Sequence, residues 1–233
     1  MPTKPTPLLC ELHAHTTWSD GDLSPRELCD LYGRRGFDVL AITDHAPREA
    51  HEVHGGNYDT YLADLRAEAL RARDLYDLLV IPGLELTYDD PDPLLAAHAV
   101  AIGLRSYVDV SAGLDAALAS ARAHGAALVA AHPYSPHDLD AATRGTAAFC
   151  ARPELRRLVD RFELFNRQTL FGWVADAEVP IVATGDFHRL EHLPGWKTLL
   201  PCPKDEGAVV GYLRSARPAY LVRLGETAER LAA

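Results

Sequence analysis

Two hydrophobic patterns alternate along the chain. Short runs of apolar, β-branched or alanine residues are typical of buried strands. Most of them precede a longer stretch in which apolar residues recur every three or four positions, as on one face of a helix. These runs predict strands over residues 8–12, 38–43, 78–86, 96–104, 126–131, 161–165 and 179–184, then a short strand after Trp196 and a last one over 220–224.

The intervening stretches predict helices, and the first has a clear start and stop. Ser24 can act as the N-cap, Pro25 suits the first helical position, and Glu27 completes a capping box. Gly36 then ends this helix. Further helices are predicted over residues 58–76, 111–124, 168–177 and 205–214, and a short alanine-rich helix could form within the irregular region 133–153.

About seven β/α units with no linker of biased composition predict one α/β domain over residues 1–233. Repeated β/α alternation favours parallel strands. The chemically active residues described below follow many successive strands, which favours a closed barrel with its site at the C-terminal rim of the strands. A doubly wound open sheet is the alternative, but it would gather such residues from only two or three strands.

Composition narrows the class of partner. The chain has 233 residues, 48% of them hydrophobic, which supports a sizeable core. A formal net charge of -10 disfavours non-specific binding to nucleic acid, so duplex nucleic acid is not an expected partner. The four cysteines lack C-x-x-C spacing, and no apolar run resembles a signal peptide or a membrane span. We therefore expect a reduced, cytoplasmic protein without a membrane partner.

Ten side chains that can bind metal lie at or near the ends of the predicted strands, with Glu163 the weakest member. A polar group at the end of an apolar strand costs stability unless something pairs with it. Imidazole and carboxylate together suit Zn, Mn or Fe. The ten are His13, His15, Asp20, His45, Glu85, His98, His132, Glu163, Asp186 and His188.

The spacing of the histidines separates candidates from the rest. His13 and His15 are two positions apart, and on a strand such residues share a face. A pair of histidines on the surface, or satisfied within the core, is the alternative for an isolated H-x-H, but the apolar run before it and W-S-D-G-D after it favour ligands. Asp186 and His188 repeat the spacing. Five histidines lack this context and are expected not to be ligands: His51, His54, His124, His137 and His192.

The acidic candidates differ in how well the sequence defines their role. Asp20 could bind metal or cap the S-D-G turn, and both interpretations are equally supported. Asp44 could orient a ligand as a neighbour of His45 or cap the backbone. Glu85 lies inside an apolar strand, where a carboxylate is rarely unpaired, and its two oxygens could bridge two ions.

Five short motifs together resemble a known family. They are H-A-H at 13–15, T-D-H at 43–45, G-L-E-L-T at 83–87, A-H-P at 131–133 and G-D-F-H at 185–188. As a set they resemble the PHP (polymerase and histidinol phosphatase) superfamily. The stretch from Glu11 to His45 is similar to the opening of stand-alone bacterial PHP phosphoesterases, and the resemblance spans about residues 8–190.

The resemblance implies a distorted (β/α)7 barrel with two or three divalent ions, Zn, Mn or Fe, at the C-terminal rim. One ion would be held by His13, His15, Glu85 and Asp186. A second would be held by Glu85, His98 and His132, and a third by Asp20, His45 and His188. Many members of the family have His in place of Asp20, and others have Asp. No sharp motif surrounds His98.

A multi-metal site of this kind suits phosphate ester hydrolysis. We expect a metal-dependent phosphoesterase that acts on a small phosphorylated metabolite or nucleotide, through in-line attack by a metal-bound hydroxide. Asp20, Glu85 and His188 are the expected catalytic residues. Arg144 and Arg167 are candidates for binding the substrate phosphate, because guanidinium matches it bidentately, although a solvated surface role is equally supported.

The first expectation includes a histidinol-phosphate phosphatase as a specific form, and two other functions remain open at this point. A 3′–5′ exonuclease, of the kind that PHP domains supply to polymerases, should have a basic channel, which the acidic composition does not favour. A non-catalytic metal-binding module would tolerate missing ligands, whereas the set here looks complete.

Overall fold

The computed structural model describes residues 6–46, 52–138 and 146–225, which form a mixed α/β fold. The strands are β1 Leu8–Glu11, β2 Val39–Ile42, β3 His45–Ala46, β4 Leu79–Tyr88, β5 Ala97–Ile102, β6 Ala127–Ala131, β7 Arg161–Asn166, β8 Thr169–Leu170, β9 Ile181–Thr184, β10 Gly195–Leu200 and β11 Tyr220–Leu224. The α-helices are α1 Pro25–Arg34, α2 Tyr58–Tyr76, α3 Leu114–Ala123, α4 Ala148–Ala151, α5 Gly172–Asp176 and α6 Glu206–Leu213. Short 3-10 helices cover Leu155–Leu158 and Leu190–His192.

Local signals in the sequence predict the start and the end of the first helix correctly. The Ser24 hydroxyl accepts a hydrogen bond from the backbone N–H of Glu27, and the Glu27 carboxylate accepts one from the backbone N–H of Ser24, so the predicted capping box is present. Gly36, just beyond the helix, has a φ of 72°, a conformation that glycine adopts without strain. The long helix α2 has the predicted bounds.

The strands form one curled, half-barrel sheet of mixed direction. Its order is β11-β10-β1-β2-β4-β5-β6-β7-β8, with β3 beside β4 and β9 beside β7. The strands β1, β2 and β4 run parallel, as do β6, β7 and β9. The expected parallel sheet is wrong at β5, β8, β10 and β11, each of which is antiparallel to its neighbours. The chain turns straight back from β4 to β5 because the segment 89–96 contains no helix.

The predicted helix over 168–177 is also partly wrong. The chain makes a tight turn at Arg167 and Gln168, and β8 pairs back onto β7. Arg167 has a φ of 55°, in the left-handed region that two-residue hairpin turns of this kind require. Only Gly172–Asp176 is helical, in α5.

The curl brings the carboxyl ends of the parallel strands to one edge. Beyond β1 and β9 the chain continues side by side: the backbone N–H of His15 donates to the carbonyl of Phe187 (2.8 Å), and the N–H of Phe187 donates to that of His13 (3.1 Å). Among the described residues, no helix is long and apolar enough to cross a membrane.

An apolar column fills the inside of the curl and ends at the metal-capable residues. Ile81 on β4 and Val100 on β5 are fully buried in one cluster, to which Val209 and Leu213 of α6 also belong. Side chains two positions apart on a strand share a face. Glu85, four positions after Ile81, therefore continues the same inward row at the carboxyl end of β4.

Candidate metal centre

Glu85 lies at the middle of a cluster of imidazoles and is almost fully buried. Its Oε1 atom is 3.1 Å from Nδ1 of His98 and 3.1 Å from Nε2 of His132. Its Oε2 atom is 3.3 Å from Nε2 of His13 and 3.4 Å from Nε2 of His15. The two oxygens of one carboxylate thus face two different groups of histidines.

The first group contains His13, His15 and Asp186, which could hold one ion. The Nε2 atoms of the two imidazoles are 3.0 Å apart. The Oδ1 atom of Asp186 is 3.5 Å from Nε2 of His13 and 3.4 Å from Nε2 of His15. Donor atoms of both kinds therefore converge on one point next to Oε2 of Glu85.

The second group contains Glu85, His98 and His132. His132 has a φ of 28°, and Asp186 of the first group has a φ of 41°. A residue other than glycine in this backbone region costs of order 1–3 kcal/mol, and such strain is concentrated at functional sites. The fold tolerates it at two positions of the same centre.

The third group contains His15, Asp20, His45 and His188. The Oδ1 atom of Asp20 is 3.2 Å from Nε2 of His188, 3.5 Å from Nε2 of His45 and 3.8 Å from Nδ1 of His15. The Asp20 side chain is 42% exposed, so this group is at the solvent side of the centre. Within the described part of the chain, its carboxylate faces imidazoles and accepts no hydrogen bond from the S-D-G turn.

All nine residues that the sequence predicts as ligands lie in these three groups. Glu163, the weaker tenth candidate, lies in none of these groups. Both of its carboxylate oxygens accept hydrogen bonds from protein groups. Oε1 accepts hydrogen bonds from Nδ1 of His13 (2.9 Å) and the hydroxyl of Thr184 (2.6 Å). Oε2 accepts from the backbone N–H of His132 (2.6 Å) and the amide of Asn166 (2.9 Å). Glu163 therefore orients two candidate ligands from behind.

Some described residues that the sequence interpretation missed also contact the imidazoles. They are Thr87, 2.8 Å from Nδ1 of His45, Thr146, 3.2 Å from Nδ1 of His132, and Asp89, 3.0 Å from Nε2 of His98. A further one is Ser19, whose hydroxyl is 3.4 Å from Nδ1 of His15. Thr87 could have been found, since it is two positions from Glu85 on the same strand face. Thr146 had no local signal.

Asp44 fastens the loop that carries Asp20. Its carboxylate accepts hydrogen bonds from the backbone N–H and the hydroxyl of Thr16 (2.7 and 2.9 Å) and from the hydroxyl of Ser19 (2.7 Å). Gly21 is required in this loop, because a Cβ there would overlap with the carbonyl of His15. Of the two roles that the sequence left open for Asp44, these contacts correspond to the second, the capping of backbone and hydroxyl groups in the loop.

Burial and neighbouring charges shift the pKa values of the central residues strongly. Burial opposes ionisation of Glu85, but the charges of His45 and His13 outweigh it and lower the pKa of Glu85 well below its usual range. Burial lowers the pKa of His45, but the charge of Glu85 and the contact with Asp20 raise that pKa to about 10. Burial and the charge of His45 lower the pKa of His15 to about 3.

The donor set fits divalent cations. The Oε2 atom of Glu85 is buried and has no hydrogen-bond partner among the described residues. Burying an ionised oxygen is costly unless a charge compensates it. Mixed imidazole and carboxylate donors are the set that Zn, Mn and Fe accept, and such ions would compensate the carboxylate charges when they bind in place of the imidazole protons.

Of the two candidates for phosphate binding, Arg167 lies beside this centre, with Nη2 2.9 Å from Oδ2 of Asp186 and a side chain that is 37% exposed. Arg144 and His51 lie outside the described residues. His54, His124, His137 and His192 are in none of the three groups, although the backbone N–H of His188 donates to Nδ1 of His192 (3.1 Å).

Solved structures share this fold. A two-domain protein from Bacteroides vulgatus ATCC 8482, described as containing a predicted PHP-like metal-dependent phosphoesterase, superposes with a TM-score of 0.69 at 19% identity, over 94% of this chain and 65% of that one. An amidohydrolase from Chromobacterium violaceum, solved with bound sulfate and no metal, gives a TM-score of 0.54 at 16% identity, over 93% of this chain and 98% of that one. At these identities the likeness concerns the fold.

Sequence comparison adds a short match and a long one. Thirty-six residues, 16% of the chain, are 47% identical to the DNA polymerase/3′-5′ exonuclease PolX of Bacillus subtilis (strain 168), and they span 6% of that protein. The model of the PHP domain family matches residues 11–139, more than half of the chain. Seven of the nine predicted ligands lie in this range: His13, His15, Asp20, His45, Glu85, His98 and His132. This chain belongs to the PHP domain family.

Proposed function

We propose that this protein is a metal-dependent phosphoesterase that hydrolyses a small phosphorylated metabolite or nucleotide. One observation carries the proposal: three groups of nitrogen and oxygen donors surround Glu85, whose Oε2 atom is buried without a hydrogen bond among the described residues. We assign one ion to His13, His15, Glu85 and Asp186, a second to Glu85, His98 and His132, and a third to Asp20, His45 and His188.

Each part of the site has a distinct task in this proposal. When bound, divalent ions lower the pKa of water and neutralise phosphate oxygens. Glu85 holds the buried side of the site together, because it contacts histidines of all three groups. Asp20 and His188 lie on the solvent side and are the catalytic residues that would face the reacting phosphate. Arg167, half-exposed beside Asp186, would contact a phosphate oxygen.

Negative charge beside the centre supports a small substrate. The net charge of the chain is -10. The loop after β4 adds Asp89, which contacts His98 and has a 58% exposed side chain. Long nucleic acids would be repelled by such a surface, whereas a small phosphoester brings only a few charges.

The match with PolX supports a second candidate, a 3′–5′ exonuclease acting on single strands. It differs from the first in the substrate. An exonuclease would release mononucleotides from the 3′ end of an oligonucleotide, whereas the first proposal requires hydrolysis of a small phosphomonoester or phosphodiester.

A substrate panel distinguishes these candidates. Purified protein would be incubated with phosphomonoesters, phosphodiesters and a single-stranded oligonucleotide, each with Mn, Zn or Fe. Phosphate release from small monoesters supports the first proposal, and histidinol phosphate is included as a specific form of it. Mononucleotide release from the oligonucleotide alone would favour the exonuclease. If the metal-loaded protein hydrolyses none of these substrates, a non-catalytic metal-binding module is the function that remains.

A further inference from the structure

A buried ion pair lies beside the backbone segments that carry His13 and Asp186. The Nζ atom of Lys197 on β10 is 2.8 Å from Oε2 of Glu11 at the end of β1, and both side chains are fully buried. Neither residue belongs to the three groups of candidate ligands. The pair is therefore outside the proposed ligand set but next to the strands that carry it.

The Glu11 carboxylate connects the two segments that supply the first group. Its Oε1 atom accepts hydrogen bonds from the backbone N–H groups of Leu12 (3.0 Å) and His13 (3.3 Å). The same oxygen accepts one from Gly185 (2.8 Å), the residue before Asp186. One oxygen atom therefore binds the backbone of His13 and the backbone of the residue that precedes Asp186.

The space around the pair is closed. A Cβ at Gly185 would overlap with both the Glu11 carboxylate and the Lys197 ammonium group. The hydroxyl of Tyr32 donates to Oε2 of Glu11 (3.1 Å) and holds it from the other side. The carboxylate is thereby fixed in one place.

Stability alone does not account for this arrangement. A buried ion pair is often no more stabilising than apolar residues of the same volume, because desolvation offsets the attraction. The Lys197 ammonium group makes no well-directed hydrogen bond among the described residues, so its main effect is to compensate the charge of Glu11. What the pair supplies is a fixed acceptor for three N–H groups.

We propose that Glu11, held by Lys197, is a positioning residue that sets His13 and Asp186 at the separation needed to share one ion. This inference rests on the proposed function. It assigns to the pair an effect on metal affinity at the first group, with no direct contact to the metal.

The chain offers a matched control at the other end of the same strand. The Oδ2 atom of Asp38 accepts a hydrogen bond from the backbone N–H of Leu9 (2.8 Å), and Oδ1 is 3.1 Å from Nζ of Lys204. This contact also joins a carboxylate, a lysine and the backbone of β1, but it lies away from the ligands. Asp38→Asn should therefore affect stability and leave metal affinity unchanged.

The experiment measures Zn²⁺ binding to wild type, Glu11→Gln, Lys197→Met and Asp38→Asn by equilibrium dialysis and elemental analysis. In Glu11→Gln the amide NH₂ group must face either Lys197 or backbone N–H groups, so donors oppose donors. We expect one Zn²⁺ to bind about 10–100-fold more weakly in Glu11→Gln and Lys197→Met, the range found when contacts behind ligands are removed. The other sites and Asp38→Asn should keep wild-type affinity.

Circular dichroism and a size-exclusion elution volume equal to that of the wild type identify folded protein, and either folded variant is sufficient for the test. Wild-type affinity at every site in a folded Glu11→Gln or Lys197→Met protein would overturn the inference. If neither variant folds while Asp38→Asn does, the pair serves folding and the inference is also overturned. Hydrolysis by the wild type is measured separately: a wild type that binds Zn²⁺ but cleaves no phosphoester removes the proposed function and leaves the positioning role intact.

Discussion

The Nδ1 atom of His13 donates a hydrogen bond of 2.9 Å to Oε1 of Glu163, 150 residues away in the sequence. This contact directs the opposite ring nitrogen, Nε2, towards Glu85 and Asp186. A carboxylate behind a histidine fixes its tautomer and its orientation, which is the usual environment of a metal-binding imidazole.

Glu163→Gln tests this contact. The variant should bind the same number of metal ions at saturation, but about 10–100-fold more weakly at the first group, because the ring is less firmly held. Competition with a chromophoric chelator measures the affinity. Glu154→Gln, at an exposed carboxylate paired with Arg152, is the control and should change nothing. The loss of a whole equivalent of metal would show that Glu163 is itself a ligand.

Glu85→Gln tests the bridge between two groups. The change is isosteric, so β4 should fold, but a single neutral amide oxygen cannot bind two ions. We expect the variant to lose more than one equivalent of bound metal and nearly all hydrolytic activity. Elemental analysis of the folded variant gives the answer, and full metal content would remove Glu85 from the site.

The Asp20→Asn variant distinguishes a metal-binding role of Asp20 from a turn-capping role. Asn caps a turn about as well as Asp but is a poor metal ligand. We expect Asp20→Asn and Asp20→Ala to lose the third ion and much of the activity, while the other ions stay bound. In metal-free protein, where the loss of the ion does not enter the comparison, unfolding free energies should remain within about 0.5 kcal/mol of wild type, as is usual for a surface change. Wild-type metal content and rate in Asp20→Asn would establish the capping role.

Part of this site could be predicted because its signals are local. Glu85 interrupts an apolar strand, and His13 and His15 follow one, so periodicity alone placed them on inward faces at strand ends. Ser24 and Glu27 fixed the start of α1 for the same reason.

The remainder depends on contacts between distant segments. The roles of Glu11 and Lys197 come from a pairing across β1 and β10, which no nearby residue indicates. The direction of β5 depends on a connection that contains no helix. The β8 turn depends on the left-handed backbone of Arg167, a conformation that the residue type does not predict.

Metal binding should release protons at pH 7. In the metal-free protein the pKa of His45 is raised to about 10, so its ring holds a proton that must leave before a nitrogen can bind metal. Because the pKa is raised, affinity for Zn²⁺ should increase as the pH rises towards that value. Titration calorimetry in two buffers of different ionisation enthalpy measures the release. Equal observed enthalpies in both buffers would contradict it.

The central claim is that hydrolysis depends on ions held around Glu85. The most direct test removes all metal with a chelator, returns Mn, Zn or Fe in measured equivalents, and follows phosphoester hydrolysis against the metal bound per chain. We predict no activity in the metal-free protein and a rise in activity as the sites fill, with Glu85→Gln inactive throughout. Undiminished hydrolysis by folded, metal-free protein would contradict the account.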